Sequence, residues 1–409
     1  MITIFLSVLT LWSPAHYKYA KYLDSVLESR INAVSSQDGG NADNENSRAK
    51  IIKKEKTLHK YIFEAMKQYI EALKIGQKHI FQALPRMLTL WFDFTAILDG
   101  DDEMGVIQDE ANAFMVKHMK AIPAASFYSV LPQLISRIGH KDEDTVTVVC
   151  AILRRLLVKF PAQALWQLSW LRQSVHKDRQ KKGEDIFKGA QKNLRKSEDM
   201  AMHDLLETSK NLVEFLINLA KYSPKRSDQR TINIHCNAWK GKVDLKEFLP
   251  PVQAALTVSS SSGSSANSRD AFPRQVPRMR AFSPTVHMMA SKARPKKLTA
   301  FAIAEGTKVS ESSRDANKAQ PSDIGEMHFL VKREAKGDLR KDARVQDFNT
   351  VINRLFANAA GSQSTERGQH RRLKLRTFSV VCLSEDCGIL EWYVKIPKIF
   401  LIVLSTILK

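Results

Sequence analysis

Residues 328–348, HFLVKREAKGDLRKDARVQDF, join a short run typical of a β-strand to a charged segment and then to a helical pattern. The run Phe329-Leu330-Val331 consists of residues favoured in buried strands, and it ends on Lys332. A lysine in this position brings an ammonium group to the end of a sheet, where it is able to contact the phosphate oxygens of a ligand. Most lysines at strand ends are structural or solvated, so the pattern alone leaves both interpretations open. Residues 375–392, LRTFSVVCLSEDCGILEW, predict two further strands separated by a polar turn.

The composition indicates which partners suit the chain. It has 409 residues, with 63 Lys and Arg against 43 Asp and Glu, and a formal net charge of +20. That length allows several domains with real cores, and that charge favours acidic partners such as nucleic acids or phosphoproteins. We interpret the densest basic stretch, residues 177–196, as a solvated helix face; nuclear import or DNA contact through it, or through residues 294–297, is the alternative. Aromatic residues do not alternate with these basic runs, which disfavours a dedicated nucleic-acid module.

The cysteines are few and irregularly spaced: Cys150, Cys236, Cys382 and Cys387. Only the last two lie close together and no second pair accompanies them, so the sequence predicts reduced thiols and no zinc site.

Both ends of the chain carry apolar runs that differ from the rest. Residues 1–15, MITIFLSVLTLWSPA, lack the basic start of a secretory signal, so we expect no export. The apolar run 399–408 is shorter than the about 17–25 residues that a transmembrane helix needs, so we expect no membrane span there.

The first half of the chain has a helical pattern. From His16 to about Tyr222, apolar residues recur at steps of three and four, and short spacers predict antiparallel helix pairs stacked as an α-solenoid. Pro85 is expected just inside a helix start, and residues 38–48, DGGNADNENSR, are expected to form a loop.

After residues 250–251, Pro-Pro, the sequence no longer has the helical pattern of the first half. Residues 259–268 are rich in serine and predict a flexible linker. Strands are expected from about Ala281, including Leu298–Ile303, and a polar insertion over residues 305–326 is expected to loop into solvent before Phe329.

The amino-acid sequences of five segments resemble those of a known family. The segments are HYKYAKYLDSVLES (16–29), IGQKHIFQALPRMLTLWFDF (75–94), the long run from LPQLISRIGH to LWQLSW (131–170), GDLRKDARVQDFNTVINRL (337–355) and SEDCGILEW (384–392). They resemble the end of the FAT domain and the kinase small lobe of the phosphatidylinositol-3-kinase-related protein kinases, most of all the ATR-type checkpoint kinases.

The resemblance implies an α+β multidomain fold, in which a helical solenoid precedes a partial small lobe with an antiparallel sheet. Its limits are residues 16–250 for the FAT-type solenoid, 251–280 for the Ser-rich linker, 281–393 for the small lobe and 394–409 for an unrelated hydrophobic tail.

The resemblance also implies a site for ATP with Mg²⁺. Ser291, in the run Ser-Lys-Ala-Arg-Pro, resembles the loop that covers the phosphates. Lys332 is the expected phosphate contact, although a small insertion before the Leu-Arg-Lys-Asp motif leaves Lys336 open as the alternative. Asp342 is the favoured acidic partner of the lysine, with Glu334 or Asp338 as the second choice.

The adenine end of the expected site comes from the last strand. Glu391, Trp392 and Tyr393 resemble the hinge, whose main-chain groups pair with adenine while Trp392 packs on it. Phe378 is expected to line the back of the pocket and Leu330 to cover it.

By resemblance, the intact protein is a nuclear serine/threonine kinase of the DNA-damage and replication-stress checkpoint. Its implied partners are checkpoint substrates and an accessory subunit of the ATR-interacting type, with indirect association to DNA and no membrane. The 409 residues contain no Asp-Arg-His catalytic loop and no Asp-Phe-Gly-like magnesium motif, so we expect this chain to be a truncated form without phosphotransfer. The alternative is a non-catalytic α-solenoid interaction scaffold with a vestigial lobe.

Overall fold

The computed structural model of the chain describes residues 13–37, 45–76, 79–98, 104–224, 228–234, 245, 248–258, 271–273, 276–303, 324–334, 338–361 and 373–392. These residues form two compact units. The first takes residues from within 1–159, 185–190 and 258–271; the second takes residues from within 160–184, 191–257 and 272–409.

The first unit is built from helices packed against one another: Ser13–Gln37 packs on Lys56–Ile75, which also packs on Ile80–Leu98. In the helix Lys56–Ile75, the apolar residues at steps of three and four are buried on one face: Ile62, Met66, Tyr69 and Leu73. The helices are α1 Ser13–Gln37, α2 Glu45–Lys54, α3 Lys56–Ile75, α4 Ile80–Leu98, α5 Gly105–Met119, α6 Ala124–Tyr128, α7 Leu131–Ser136 and α8 Glu143–Lys159, with a 3₁₀ turn at Arg137–Gly139.

Two local expectations in this unit were wrong. Helix α4 begins at Ile80, so Pro85 lies inside the helix and not at its start; the apolar run before the proline favours burial strongly enough to extend the helix over it. The proline carbonyl accepts hydrogen bonds from Thr89 Oγ1 (3.0 Å) and Gln133 Nε2 (3.2 Å). Residues 45–48 of the predicted loop 38–48 lie in α2, which begins at Glu45; residues 38–44 lie outside the described residues.

Arg86, which follows that proline, joins α4 to α1. Its guanidinium binds Asp24 through two hydrogen bonds of 2.7 Å and reaches Glu28 at 3.1 Å. Arg48 of α2 holds the same Glu28 at 2.6 and 2.7 Å. Bidentate pairs of this kind fix the relative orientation of helices, which gives the Leu-Pro-Arg sequence a structural role.

A buried polar network fixes the start of α8. Asp142 is 8 % exposed, and its Oδ2 accepts hydrogen bonds from Asn112 Nδ2 (2.8 Å), Thr145 Oγ1 (2.6 Å) and the Thr145 N–H (3.0 Å). Asn112 in turn accepts from Trp91 Nε1 at 3.1 Å. Buried polar groups are stable when they are paired in this way.

The second unit combines helices with a sheet. The helices are α9 Pro161–Leu168, a 3₁₀ segment Ser169–Gln173, α10 Lys177–Lys196, α11 Met200–Lys221, α12 Gln253–Leu256 and α13 Leu339–Gly361, and α10 contributes residues to both units. Asp199 caps α11 by accepting the Met202 N–H at 3.2 Å.

Seven antiparallel strands form one sheet in the described residues. They are β1 Thr231–Asn233, β2 Arg278–Phe282, β3 Thr285–Met288, β4 Lys296–Ile303, β5 Ile324–Arg333, β6 Val380–Cys382 and β7 Cys387–Trp392. The order is β1-β3-β4-β5-β7-β6, and β2 also pairs with β4. Strands β4 and β5 contain the predicted segments around Leu298 and Phe329. The predicted insertion 305–326 extends too far, because β5 already begins at Ile324 and pairs there with β4; residues 304–323 lie outside the described residues. Strand β1 was missed, and β6 begins at Val380, later than the pattern from Leu375 indicates.

The two faces of this sheet have different environments. One face is buried: Phe329, Val331 and Leu298 have no exposed surface, and α11 packs against β5 and β7. Lys296 also lies on this face, 3 % exposed, and its Nζ donates to the Ala220 carbonyl at 2.7 Å. The other face carries Leu330 and Lys332, which alternate with the buried residues and are only half-buried.

The α+β fold class, with its helical region and antiparallel sheet, is therefore confirmed. The linker 259–268, residues 1–12, Tyr393 and the tail 394–409 lie outside the described residues, and the limits of the four domains stay predictions. In the described ranges, Cys150, Cys382 and Cys387 are not joined in disulfides. The helices of those same ranges include none that is long and apolar enough to cross a bilayer.

Candidate nucleotide-binding site

Lys332 lies at the end of β5 on the half-buried face of the sheet. Its Nζ is 3.4 Å from Glu334 Oε2 and 3.6 Å from Asp342 Oδ2. The side chain of Lys332 is 19 % exposed, whereas that of Asp342 is 53 % exposed. The lysine is therefore held by two carboxylates, and the cluster remains open to solvent on the side of Asp342. Both acidic residues were among the expected partners.

The first turn of α13 brings Asp342 to the lysine. Leu339 is 1 % exposed and lies directly over Gly388, where an added Cβ atom would come within 2.8 Å of Leu339 Cδ1. Gly388 pairs with Lys332 in the sheet, so the glycine allows α13 to approach the lysine closely. Asp338, the other expected partner, accepts hydrogen bonds from Arg340 Nε (2.8 Å) and the Arg340 N–H (3.0 Å).

Ser291 lies in the exposed turn between β3 and β4. Strand β4 begins at Lys296, which pairs with Val331, so this turn lies at the end of the sheet that carries Lys332. The Ser291 N–H donates to the Met289 carbonyl at 3.0 Å, which leaves the hydroxyl as the donor that this residue offers to a ligand. Arg294 has a φ of 42°, a left-handed conformation that costs a side chain about 1 kcal/mol.

Further along the same face lies a half-buried strip of aliphatic, aromatic and imidazole side chains, formed by His328, Leu330, Leu390 and Trp392. Leu330 pairs with Leu390, and His328 pairs with Trp392. His328 is four residues from Lys332, so the strip extends about 13 Å from the lysine. Its aliphatic and aromatic side chains suit a flat heteroaromatic ring. Leu330, Lys332 and Trp392, all predicted, thus share one face.

Glu391 does not share that face. The alternation along β7 places its side chain on the buried side, where Oε2 accepts the N–H of Gln253 (2.8 Å) and of Ser379 (3.0 Å). The Glu391 N–H donates to the Ser379 carbonyl at 2.9 Å. Its side chain and N–H therefore stabilise the lobe internally.

Phe378 precedes β6 and is half-buried. Its N–H donates to Gln346 Oε1 of α13 at 3.3 Å, so it is held by the helix rather than by the sheet. Tyr393 and Lys336 lie outside the described residues.

Sequence reasoning missed His328 and Thr299 as members of this strip. Thr299 Oγ1 lies 3.0 Å from His328 Nδ1. Burial, with a smaller contribution from the nearby charge of Lys297, lowers the pKa of His328, which favours the neutral imidazole at pH 7. The period of two, counted back from Lys332 through Leu330, is the signal that predicts His328 on this face.

Cys382 lies near the acidic end of the cluster. Burial raises the pKa of its thiol to about 12, with further contributions from Asp338 and Asp342, so the thiol is protonated and unreactive at neutral pH. Among the described residues, no group of three or more His, Cys, Asp or Glu side chains is arranged to hold a metal ion.

The comparison with solved structures defines the class of fold. A structure described as the FAT and kinase domain of CtTel1 superposes with a TM-score of 0.58 at 18 % identity, covering 94 % of this chain and 24 % of that one. The open conformation of CtTel1 gives the same TM-score and identity, with 94 % and 13 % coverage. The fold is that of a FAT and kinase segment.

The sequence comparisons identify the family. Residues 110–213 match the family described as serine/threonine-protein kinase ATR-like, HEAT repeats. The chain is 30 % identical to serine/threonine-protein kinase ATR of Arabidopsis thaliana over 93 % of its own length, and 26 % identical to protein kinase rad3 of Schizosaccharomyces pombe over 80 %. It spans only 14 % and 13 % of these relatives. The chain belongs to the HEAT-repeat family of ATR-like kinases.

Proposed function

We propose that residues 281–393 form the nucleotide-binding lobe of a serine/threonine kinase of the DNA-damage checkpoint, with ATP bound on the half-buried face of the sheet. The observation that carries this proposal is the position of Lys332, paired with Asp342 and Glu334 at the end of β5 where the Ser291 turn also lies. An ammonium held by carboxylates on an open sheet face suits nucleotide phosphates. The strip that ends at Trp392 suits adenine.

Each group has a distinct part in this proposal. Lys332 neutralises phosphate charge, and Asp342 keeps its ammonium in place. The Ser291 hydroxyl donates to a phosphate oxygen, and Leu330 and Trp392 pack against the base. Mg²⁺, when bound with ATP, would neutralise the remaining phosphate charge. The Asp-Phe-Gly-like motif, which supplies magnesium ligands in the family that the chain resembles, is absent from this sequence.

In the intact protein, we propose transfer of the γ-phosphate of ATP to Ser or Thr hydroxyls of checkpoint proteins in the nucleus. An accessory subunit of the ATR-interacting type and indirect association with DNA belong to the same proposal. Because the 409 residues contain no catalytic-loop motif, we expect the purified chain to bind ATP without transferring phosphate.

The test is titration calorimetry of the purified chain with ATP in the presence of Mg²⁺, comparing the wild type with Lys332→Ala. Lys341→Ala is the matched control, because it removes the same charge from an exposed position beside Asp342. We expect weak binding that Lys332→Ala abolishes and Lys341→Ala preserves. Equal losses in both variants would show generic charge attraction, and no binding by the wild type would favour the scaffold alternative.

A further inference from the structure

Trp170 is a buried residue of the second unit, 8 % exposed, on the 3₁₀ segment between α9 and α10. Two guanidinium groups lie over its ring. Arg179 Cζ of α10 is 5.6 Å from the ring centroid, and Arg340 Cζ of α13 is 5.7 Å from it. Cations at this distance are attracted to the negative face of an indole. Within the second unit, the tryptophan thus connects the 3₁₀ segment to the helix that carries Asp342.

A second contact joins the chain segment after Trp170 to the sheet. Glu385, in the turn between β6 and β7, accepts hydrogen bonds from Ser174 Oγ (2.7 Å) and the Val175 N–H (3.3 Å). The same carboxylate oxygen lies 3.9 Å from Arg179 Nη1. The chain segment after Trp170 is therefore fastened to the turn that precedes Gly388, the residue paired with Lys332.

The position of Asp342 depends on the first turn of α13. Arg340 and Asp342 are two residues apart in this turn, so a displacement of one moves the other. The Lys332 Nζ to Asp342 Oδ2 distance is already 3.6 Å, and a further shift of about 1 Å would take it beyond the range of a direct ion pair. Whatever holds Arg340 also maintains this contact.

We infer that Trp170 is a positioning residue, which through Arg340 fixes the start of α13 and thereby lets the 3₁₀ segment Ser169–Gln173 of the second unit influence the affinity of the sheet for ATP. The role in ATP affinity rests on the proposed function, whereas the effect on α13 is a property of the chain without nucleotide. An aromatic residue that only filled the core would stabilise the unit without a specific effect on residues 339–346.

The experiment uses the full chain and two readouts. The first is amide hydrogen exchange of residues 339–346 without nucleotide, and the second is the ATP dissociation constant by calorimetry. For Trp170→Leu, we expect faster exchange at these amides and about two- to fivefold weaker ATP binding. Trp166→Leu is the matched control, since Trp166 is 1 % exposed in the same unit and its Nε1 donates to the Leu249 carbonyl at 3.0 Å. It should lower thermal stability without either specific effect.

A second variant covers the case in which Trp170→Leu does not fold. Arg340→Gln removes the cation from a side chain that is 43 % exposed, so the variant should fold and should reproduce both effects. In an Asp342→Asn background, where ATP binding remains measurable, Trp170→Leu should cause no further loss of ATP affinity.

The two proposals fail in different ways. If the wild type binds no ATP but exchange at residues 339–346 rises in both variants, the proposed function fails and the positioning role on α13 stands. If the wild type binds ATP and both variants leave exchange and affinity unchanged, Trp170 is not a positioning residue. Losses of affinity that Trp166→Leu matches would overturn the inference as well.

Discussion

The ammonium nitrogen of Lys332 lies 3.6 Å from the carboxylate oxygen Oδ2 of Asp342, so that strand β5 and helix α13 meet at an ion pair on the open face of the sheet. More than half of the Asp342 side chain is exposed, so solvent screens the pair, and it contributes less than about 1 kcal/mol to folding. Its main effect is to restrict where the ammonium points. Substitutions here should therefore change ligand binding more than stability.

The first prediction concerns the two carboxylates beside Lys332. Asp342→Asn and Glu334→Gln should each weaken ATP binding about two- to fivefold, because the lysine keeps one acidic partner in either variant. The double variant should bind more weakly than either single variant. Calorimetry on the three proteins, with thermal melts without ATP, checks this prediction.

Tighter ATP binding in either single variant would contradict it. That result would show that the carboxylate repels the phosphates more than it positions the lysine. The thermal melts serve as the control, since a large drop in melting temperature would mean that the carboxylates stabilise the fold itself.

Local sequence patterns predicted the part of this site that is local in the chain. The apolar run Phe329–Val331 predicts a strand, the alternation assigns Leu330 and Lys332 to one face, and the charged motif after it suggested Asp342 through its family resemblance. Each of these inferences depends on neighbours within about ten residues of Lys332. In the structure, Lys332 pairs both with the favoured Asp342, at 3.6 Å, and with the second-choice Glu334, at 3.4 Å.

Other features depend on contacts that no local pattern encodes. Glu391 was expected to offer main-chain groups at the adenine end, and that role stays a prediction. The structure shows its N–H donating to the Ser379 carbonyl and its side chain on the buried face, where Gln253 and Ser379 donate to it. The contact between Trp170 and Arg340 joins residues far apart in the sequence. Strand β1 is three residues long and pairs with β3, too short for an alternating pattern to be recognised.

The second prediction concerns Gly388, which pairs with Lys332. A Cβ atom there would lie 2.8 Å from Leu339 Cδ1 and 2.8 Å from the Val381 carbonyl oxygen, and the backbone oxygen has little freedom to move. Gly388→Ala should destabilise the second unit by about 1–3 kcal/mol and should also weaken ATP binding, because Leu339 begins the helix that carries Asp342. Urea unfolding and calorimetry measure the two effects.

Gly325→Ala provides the comparison for Gly388→Ala. It lies on the same sheet, in β5, and an added Cβ atom there comes no closer than 3.9 Å to the Ala302 carbonyl oxygen. We expect it to be neutral or slightly stabilising, because alanine loses less backbone freedom on folding. Equal destabilisation by both substitutions would mean that the contact with Leu339 is not the cause.

The third prediction is a dependence on acidic pH through Asp142. Burial raises the pKa of this carboxyl, but hydrogen bonds from Thr145 and Asn112 outweigh the burial, so its pKa lies below the ordinary value of 3.8. A lowered folded-state pKa gives stability that is present above the unfolded-state value and is lost as the pH falls through the folded-state value. Asp142→Asn should cost about 1–3 kcal/mol at pH 7, and the difference from wild type should shrink below about pH 4.

Asp144→Asn is the control for Asp142→Asn. Asp144 lies in the first turn of the same helix but is exposed, so its removal should cost only the interaction with the helix dipole, less than about 1 kcal/mol. Unfolding curves from pH 3 to 7 for the three proteins check this. A constant difference between wild type and Asp142→Asn across that range would show that the charge of Asp142 is not what stabilises α8.

The fourth prediction concerns Lys296 and runs in the opposite direction along the pH scale. Burial lowers the pKa of Lys296, with a smaller opposing contribution from Cys387. Between this lowered pKa and the ordinary value of 10.5, the unfolded chain binds more protons than the folded chain, so stability rises with pH across that window. The hydrogen bond to the Ala220 carbonyl survives deprotonation, because the neutral amine still donates.

Lys296→Met keeps the length of the side chain and removes both the titration and the donor. We expect the variant to lose about 1–3 kcal/mol relative to wild type at high pH, where the carbonyl of Ala220 lacks this donor and the wild type no longer buries a charge. At pH 7 the difference should be smaller, since there the wild type also buries an ammonium group. Urea unfolding midpoints of both proteins from pH 7 to 10.5 measure this difference in stability. If the difference stayed constant over that range, the buried lysine would not titrate there, and its hydrogen bond alone would fix the end of α11.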